Sequence, residues 1–124
     1  MRAPQEKTLA ASCHFFNVIP VWGLIFCGGI WYAIREESRF VVGHARQAMV
    51  FHATLLVALL VWVLLGLVCR ILDVISASFS HFLNSLNDGI MALFYVVYLA
   101  FCLLGCVRTF TGRPFHYPLV GIRE

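Results

Sequence analysis

The stretch at residues 47–69, QAMVFHATLLVALLVWVLLGLVC, contains no Asp, Glu, Lys or Arg. A helix needs about 20 mostly apolar residues to cross the hydrocarbon core of a bilayer. A second stretch at residues 89–107, GIMALFYVVYLAFCLLGCV, is also uncharged and rich in apolar residues. The sequence therefore predicts one full transmembrane helix in each stretch.

The composition of the whole chain agrees with a membrane location. Of its 124 residues, 61% are hydrophobic and 12% are charged, and the mean hydropathy is +0.87. Soluble domains contain about 25% charged residues, so this chain lacks the charge to cover a water-facing surface. The same figures exclude a disordered chain, a coiled coil and a nucleic-acid-binding domain. We expect an all-α integral membrane protein with a single transmembrane domain over residues 1–124.

The N-terminal uncharged stretch, residues 8–34, is too long for one straight span. It would form a helix about 40 Å long, whereas the hydrocarbon core is about 30 Å thick. Pro20 lies near its middle and removes a backbone hydrogen bond there. The stretch predicts either one kinked, tilted helix or a short helical hairpin made of residues 8–19 and 21–34.

The basic residues bear on this choice and on the orientation of the chain. A hairpin leaves only Arg70 on one side of the membrane and all the other Lys and Arg residues on the opposite side. The positive-inside rule is satisfied by both arrangements, and more strongly by the hairpin. In both arrangements the loop at residues 35–46 and the tail at residues 108–124 are cytoplasmic, and with the hairpin the N-terminus is cytoplasmic as well.

Residues 70–88 differ from the uncharged stretches because apolar and polar residues alternate with helical spacing. The apolar members recur at steps of three and four residues: Ile71, Ile75, Phe79, Phe82 and Leu86. We expect an amphipathic segment that lies in the membrane interface, or an extension of the second span that then turns back. Asn87-Asp88-Gly89 predicts the turn before the last span, with Asp88 as its N-cap.

Two histidines, His14 and His52, lie inside uncharged stretches, where polar side chains are costly and often functional. Two histidines at matching depth on facing helices would be able to ligate a haem, so His14 and His52 are candidate residues for binding haem or a pigment. The alternative is that each neutral imidazole bonds a backbone carbonyl or a water, without a cofactor. No His-x-x-x-His or Cys-x-x-Cys spacing is present, and we predict no metal site.

Catalytic chemistry of the usual kinds is not indicated. All six acidic residues lie outside the uncharged stretches, and no nucleophile stands next to a base. The five cysteines lie in or beside apolar stretches and are expected to be small buried hydrophobic residues. We predict no catalytic residue and no enzymatic activity.

Two local motifs are more distinctive. The first, SRFVVGHARQA at residues 38–48, precedes the second span, and its characteristic members are Phe40, His44, Arg46 and Gln47. The second follows the last span, and its characteristic members are Gly112, Tyr117 and Pro118. Together they resemble a family of small bacterial membrane proteins of unknown function, related to the chloroplast import Tic-twenty subunit and to the MamF-type magnetosome proteins.

The resemblance implies a compact bundle of four helical segments in a bacterial inner membrane, with both termini in the cytoplasm. We predict a non-enzymatic accessory or organising subunit of a larger membrane complex. Its partners would be membrane lipids and other integral membrane proteins, in a hetero-complex rather than a homo-oligomer, and it would bind no nucleic acid. Two alternatives stay open: an oligomeric channel or protein-translocation component, as in the plastid relatives, and a haem or pigment binder.

Overall fold

The computed structural model describes residues 3–113 and 115–117, and these residues form four α-helices and no strand. The helices are α1 (Ala3–Phe16), α2 (Trp22–Ile34), α3 (Arg39–Leu72) and α4 (Ala77–Phe110). The prediction of an all-α chain is confirmed for the described residues. Helices α3 and α4 are long and apolar enough to cross a membrane, which agrees with the two predicted spans.

The N-terminal segment is a helical hairpin and not a single kinked helix. Helices α1 and α2 run antiparallel, so that Phe16 meets Phe26 with ring centroids 4.1 Å apart. In the connection, the Trp22 N–H donates to the Pro20 carbonyl at 2.8 Å and closes a tight turn around Val21. Val21 has a φ of 66°, a backbone conformation that strains a β-branched residue.

Helices α3 and α4 form a second antiparallel hairpin, which is much longer. Each has 34 residues and is therefore about 51 Å long. The side chain of Ser38 accepts a hydrogen bond from the Val41 N–H at the start of α3, and Ser76 caps α4 in the same way. The helix α3 begins eight residues before the uncharged stretch. Because its N-terminus is capped, the helix can start outside the part of the chain that is predicted to lie in hydrocarbon.

The prediction of a separate amphipathic interfacial segment at residues 70–88 is wrong. Helix α3 continues to Leu72, the chain turns at residues 73–76, and α4 begins at Ala77. The alternative, in which the second span extends and then turns back, is the one that the structure shows. The predicted interfacial segment is thus the end of one long helix and the start of the next.

The predicted turn at residues 87–89 is also wrong, because Asn87, Asp88 and Gly89 lie inside α4. Residues that favour turns are held in the helix here by contacts with α3. The Asn87 side chain donates to the Trp62 carbonyl at 3.1 Å, and Asp88 accepts from the Trp62 indole at 2.8 Å. Asp88 is therefore no N-cap, and the cap of α4 is Ser76.

The short hairpin covers only one half of the long one. Helix α1 packs against α3 and α4, and α2 packs against α3. The buried core lies in this half, in a cluster made of Phe51, Leu55, Tyr98, Cys102, Phe115 and Tyr117 and a second cluster made of Cys13, Cys27, Ala45 and Ala48. The other half, residues 60–90, consists of two helices with exposed apolar side chains, and we call it the two-helix extension.

Candidate functional site

The loop motif and the tail motif meet at one end of the bundle, next to His14. The Nδ1 atom of His14 lies 2.7 Å from the Tyr117 hydroxyl, and its Nε2 atom lies 3.1 Å from Nδ1 of His44. One turn after His44, the Gln47 amide nitrogen lies 3.0 Å from Nδ1 of His116. We call these five residues the histidine cluster.

Two glycines of the last helix and its end allow the tail to reach this cluster. A Cβ atom on Gly105 would lie 2.8 Å from Cε1 of Phe115 and 3.2 Å from Cγ of His14. Gly112 has a φ of 74°, the left-handed conformation that ends helices and favours glycine. The chain therefore turns back after α4, and Phe115 packs against the face where Gly105 has no side chain.

Tyr117 fixes the tail in the core of the bundle. Its ring stacks on Phe51 with centroids 3.8 Å apart, and only 2% of its surface is exposed. Burial raises the pKa of Tyr117 well above the ordinary value for a phenol, so the hydroxyl stays protonated beside His14. The neighbouring motif residue Pro118 lies outside the described residues.

Of the four loop-motif residues, three belong to the cluster or touch it. His44 and Gln47 are buried members, and the Phe40 ring packs on His44 with centroids 4.7 Å apart. Arg46 is exposed and is not a member of the cluster. The sequence motif therefore marks one face of the first turns of α3, together with a basic residue on the outer face.

His52 belongs to a second network, at the connection between α1 and α2. The Val21 N–H donates to Nε2 of His52 at 3.2 Å, so Nδ1 carries the proton and donates to the Tyr98 hydroxyl at 2.8 Å. Tyr98 in turn donates to the Asn17 carbonyl at 3.0 Å, and the Asn17 side chain donates to the Ala48 carbonyl at 2.7 Å. The bonds to the Val21 N–H and the Asn17 carbonyl satisfy backbone groups that the break between α1 and α2 would otherwise leave unpaired in a membrane.

His14 and His52, the two candidate haem ligands, lie in these separate networks. His44, which pairs with His14, precedes His52 by eight residues of α3, which is about 12 Å along the helix. Both ring nitrogens of each imidazole already make hydrogen bonds to the protein. Haem binding by this pair stays a prediction. Within the described residues, no three His, Cys, Asp or Glu side chains are grouped so that they could hold a metal ion.

A third polar site, which the sequence analysis missed, lies on the two-helix extension. The Asp88 carboxylate accepts from the Trp62 indole at 2.8 Å and from the Asn84 side chain at 3.2 Å. The site is a groove of about 530 Å³ that also contains Gly66 and Arg70. We call it the Asp88 groove, defined by Trp62, Gly66, Arg70, Asn84, Asn87 and Asp88. The helical spacing of Ser80, Asn84 and Asp88 was the sequence signal that could have revealed it.

The Asp88 groove lies on α3 and α4, the two helices that are long and apolar enough to cross a membrane. Asp88 bonds to Trp62, which is well inside the uncharged stretch at residues 47–69. About 20 residues counted from Gln47 span a core of 30 Å and end near Gly66. If the hydrocarbon core were placed so that Asp88 lay outside it, the apolar side chains of the two-helix extension would be exposed to water. We therefore expect the groove to lie at the depth of the hydrocarbon core. The predicted last span, residues 89–107, left Asp88 out, whereas α4 includes it.

The family follows from a comparison with known proteins. A family model described as the magnetosome magnetite crystal formation protein family, MamF/MmsF, matches residues 5–123. The chain belongs to this family. No curated protein and no solved structure matches it. The resemblance to MamF-type proteins is thereby confirmed, whereas the relation to the Tic-twenty subunit stays a prediction.

MamF/MmsF is a family of magnetosome membrane proteins. The three polar sites of this member differ in whether their polar groups are accessible to another molecule. The histidine cluster and the His52 network lie between helices of the same chain, and their hydrogen bonds join α1, α3, α4 and the tail. In the Asp88 groove, by contrast, the acidic side chain is exposed on the outside of the hairpin. Of the three sites, the groove is the one whose polar groups are open to another molecule.

Proposed function

We propose that this MamF/MmsF protein is a non-enzymatic accessory or organising subunit of a larger membrane complex that takes part in magnetite crystal formation. The observation that carries the proposal is the two-helix extension, which exposes apolar side chains and which no other described helix of the chain covers. Such a surface offers packing to lipids and to other membrane proteins. Family membership supports the link to magnetite.

The proposal includes a bacterial inner membrane location with both chain ends in the cytoplasm. The first helix and the end of α4 lie together, because the Lys7 side chain reaches Gly112. The basic residues of the described chain at this end are Lys7, Arg35, Arg39, Arg46, Arg108 and Arg113, whereas Arg70 lies near the opposite tip. The positive-inside rule supports a cytoplasmic position for the end with the larger basic excess.

Native-mass analysis of the protein, purified from its own membranes in mild detergent, tests the subunit role. We expect a hetero-complex of fixed stoichiometry. A monomer, or an oligomer of this chain alone, would contradict the proposal. An absorption spectrum of the same peak tests the haem hypothesis, because a Soret or pigment band would support binding by His14 or His52.

An oligomeric channel or protein-translocation component is a second candidate, and the Asp88 groove is the observation that favours it. The groove sets the side chains of Arg70, Asn84, Asn87 and Asp88 along one face of the hairpin, so a ring of copies would have polar groups to line a pore. A homo-oligomer in the native-mass analysis, with ion conductance in planar bilayers that Asp88→Asn abolishes, would favour the channel over the subunit.

A further inference from the structure

We infer that the Asp88 groove is a docking surface for a transmembrane helix of a different protein, one that carries a Lys or Arg at the depth of Asp88. The inference rests on the proposed function, because it identifies the surface by which the subunit would bind its complex and the chemistry of the helix bound there.

The Asp88 carboxylate has no positive partner among the described residues. Both of its oxygens accept hydrogen bonds, but the donors are the neutral side chains of Trp62 and Asn84. Arg70 lines the same groove without forming an ion pair with Asp88. The groove thus presents a carboxylate that neutral groups orient and that no cation of this chain compensates.

Exposure of this carboxylate to lipid would be unfavourable. A charged side chain at the centre of a transmembrane helix is costly, and such residues almost always face protein or a water-filled cavity. Asp88 is exposed on the isolated chain and lies within α4, one of the two helices that are long and apolar enough to cross a membrane. We therefore expect the face that carries Asp88 to be covered in the membrane.

The shape of the groove suits a helix. Trp62, Gly66 and Arg70 follow one another at steps of four residues and line one side of the groove, which is therefore elongated along the axis of α3. Gly66 has no side chain, and the nearest groups to a Cβ there would be Asn84 Oδ1 at 3.8 Å and Asn87 Nδ2 at 4.0 Å. Small residues of this kind let another helix approach closely, and amide side chains hydrogen-bond across such interfaces.

Charge complementarity favours a different protein over a second copy of this chain. Two copies related by an axis along the membrane normal would bring Asp88 opposite Asp88, and like charges would repel. Arg70 of one copy cannot neutralise Asp88 of the other, because Arg70 lies eight residues beyond Trp62 on α3. This separation is about 12 Å along the helix. A foreign helix with a basic residue facing Asp88 and an acidic residue seven or eight positions towards the tip would complement both charges.

Designed transmembrane peptides test this chemistry directly. The full-length protein, labelled with a donor fluorophore, is reconstituted in phosphatidylethanolamine–phosphatidylglycerol vesicles with an acceptor-labelled Leu/Ala helix. One peptide carries a Lys at the depth of Asp88 and a Glu seven residues towards the tip, and a matched peptide carries Leu at both positions. We expect energy transfer to report at least tenfold tighter association with the Lys/Glu peptide.

Asp88→Asn is the informative variant, because it keeps the size and an acceptor oxygen of the side chain and removes the charge. It should weaken association with the Lys/Glu peptide at least tenfold and leave the Leu peptide unaffected. Glu37→Gln, an exposed acid between α2 and α3, is the matched control and should change neither. Circular dichroism and thermal unfolding verify that both variants are folded.

Each other outcome overturns the inference. One contradicting outcome is that both peptides associate equally with the wild type. Another is that the wild type and Asp88→Asn bind the Lys/Glu peptide equally. Either result would show that the groove does not select a basic helix, as expected of a groove filled by water or lipid. Self-association that Asp88→Asn abolishes would identify a second copy as the occupant. A native complex that persists in Asp88→Asn would overturn the docking surface and leave the subunit role intact, whereas finding no native complex would overturn the subunit role itself.

Discussion

The hydroxyl of Tyr117 lies 2.7 Å from Nδ1 of His14, although the two residues are 103 positions apart in the chain. This hydrogen bond joins the C-terminal tail to the first helix, inside a core that also holds Phe51 and Phe115. Residues 115–117 of the tail therefore belong to the folded bundle.

Tyr117→Phe is expected to destabilise the protein by about 1–3 kcal/mol, because it leaves a buried ring nitrogen of His14 without its partner. Thermal unfolding in detergent measures the change, and limited proteolysis should show earlier cleavage of the tail. Tyr32→Phe removes a hydroxyl from an exposed tyrosine and should have little effect. Equal melting temperatures for the two variants would show that the tail bond contributes nothing to stability.

Gly105→Ala is expected to displace the tail. The added methyl group would lie 2.8 Å from the Phe115 ring, and overpacking of this kind costs about 1–3 kcal/mol. Gly89→Ala is the matched control in the same helix, because its methyl group would meet nothing within 4 Å. Unfolding temperatures in one detergent compare the variants, and a Gly105→Ala protein as stable as Gly89→Ala would refute the close packing of the tail.

Val21→Gly is expected to stabilise the protein by on the order of 1 kcal/mol. Its positive φ stores strain of about 1–3 kcal/mol, which exceeds the roughly 0.5–1 kcal/mol of chain entropy that glycine loses on folding. Val57→Gly, at a similarly exposed position inside α3, should destabilise the protein instead. Opposite signs in the two unfolding measurements are the expected result, and destabilisation by both would show that the turn at Val21 is unstrained.

Ala3→Cys and Glu37→Cys are expected to react with a membrane-impermeant maleimide from one side of the membrane, and Val74→Cys from the other. The short hairpin returns the chain to the end where α1 begins, whereas Val74 lies in the turn between the two spans. The unsubstituted protein gives the background of its five natural cysteines. Labelling of residues 3 and 37 from opposite sides would mean that the first segment crosses the membrane once.

Part of the fold could be predicted from the sequence because lipid imposes it. The uncharged stretches predicted both long helices, and Pro20 together with the distribution of basic residues favoured the short hairpin. The choice between hairpin and kinked helix could not be made from the sequence, since it depends on which distant side chains satisfy the broken backbone. His52 and Tyr98 do this through bonds to Val21 and Asn17, and nothing in their sequence positions indicates those partners.

The predicted turn at Asn87-Asp88-Gly89 failed for a related reason. Local preferences indicate a turn at these residues, but bonds to Trp62 on the neighbouring helix keep them helical. As a result, the last span was predicted to start twelve residues after the start of α4, and Asp88 was left outside that predicted span. The candidate residues His14, His44, Gln47 and Tyr117 do meet at one site, which the motifs suggested without giving its geometry.

Photo-cross-linking in native membranes shows whether the Asp88 groove binds a helix of another membrane protein. A photoreactive residue replaces Leu67, which lines the Asp88 groove, and as a control Leu64, an exposed residue that does not line the groove. We expect position 67 to cross-link to one other membrane protein, within a helix that carries Lys or Arg, and position 64 to react with lipid. Cross-links from position 67 only to lipid, or only to another copy of this chain, would contradict this expectation.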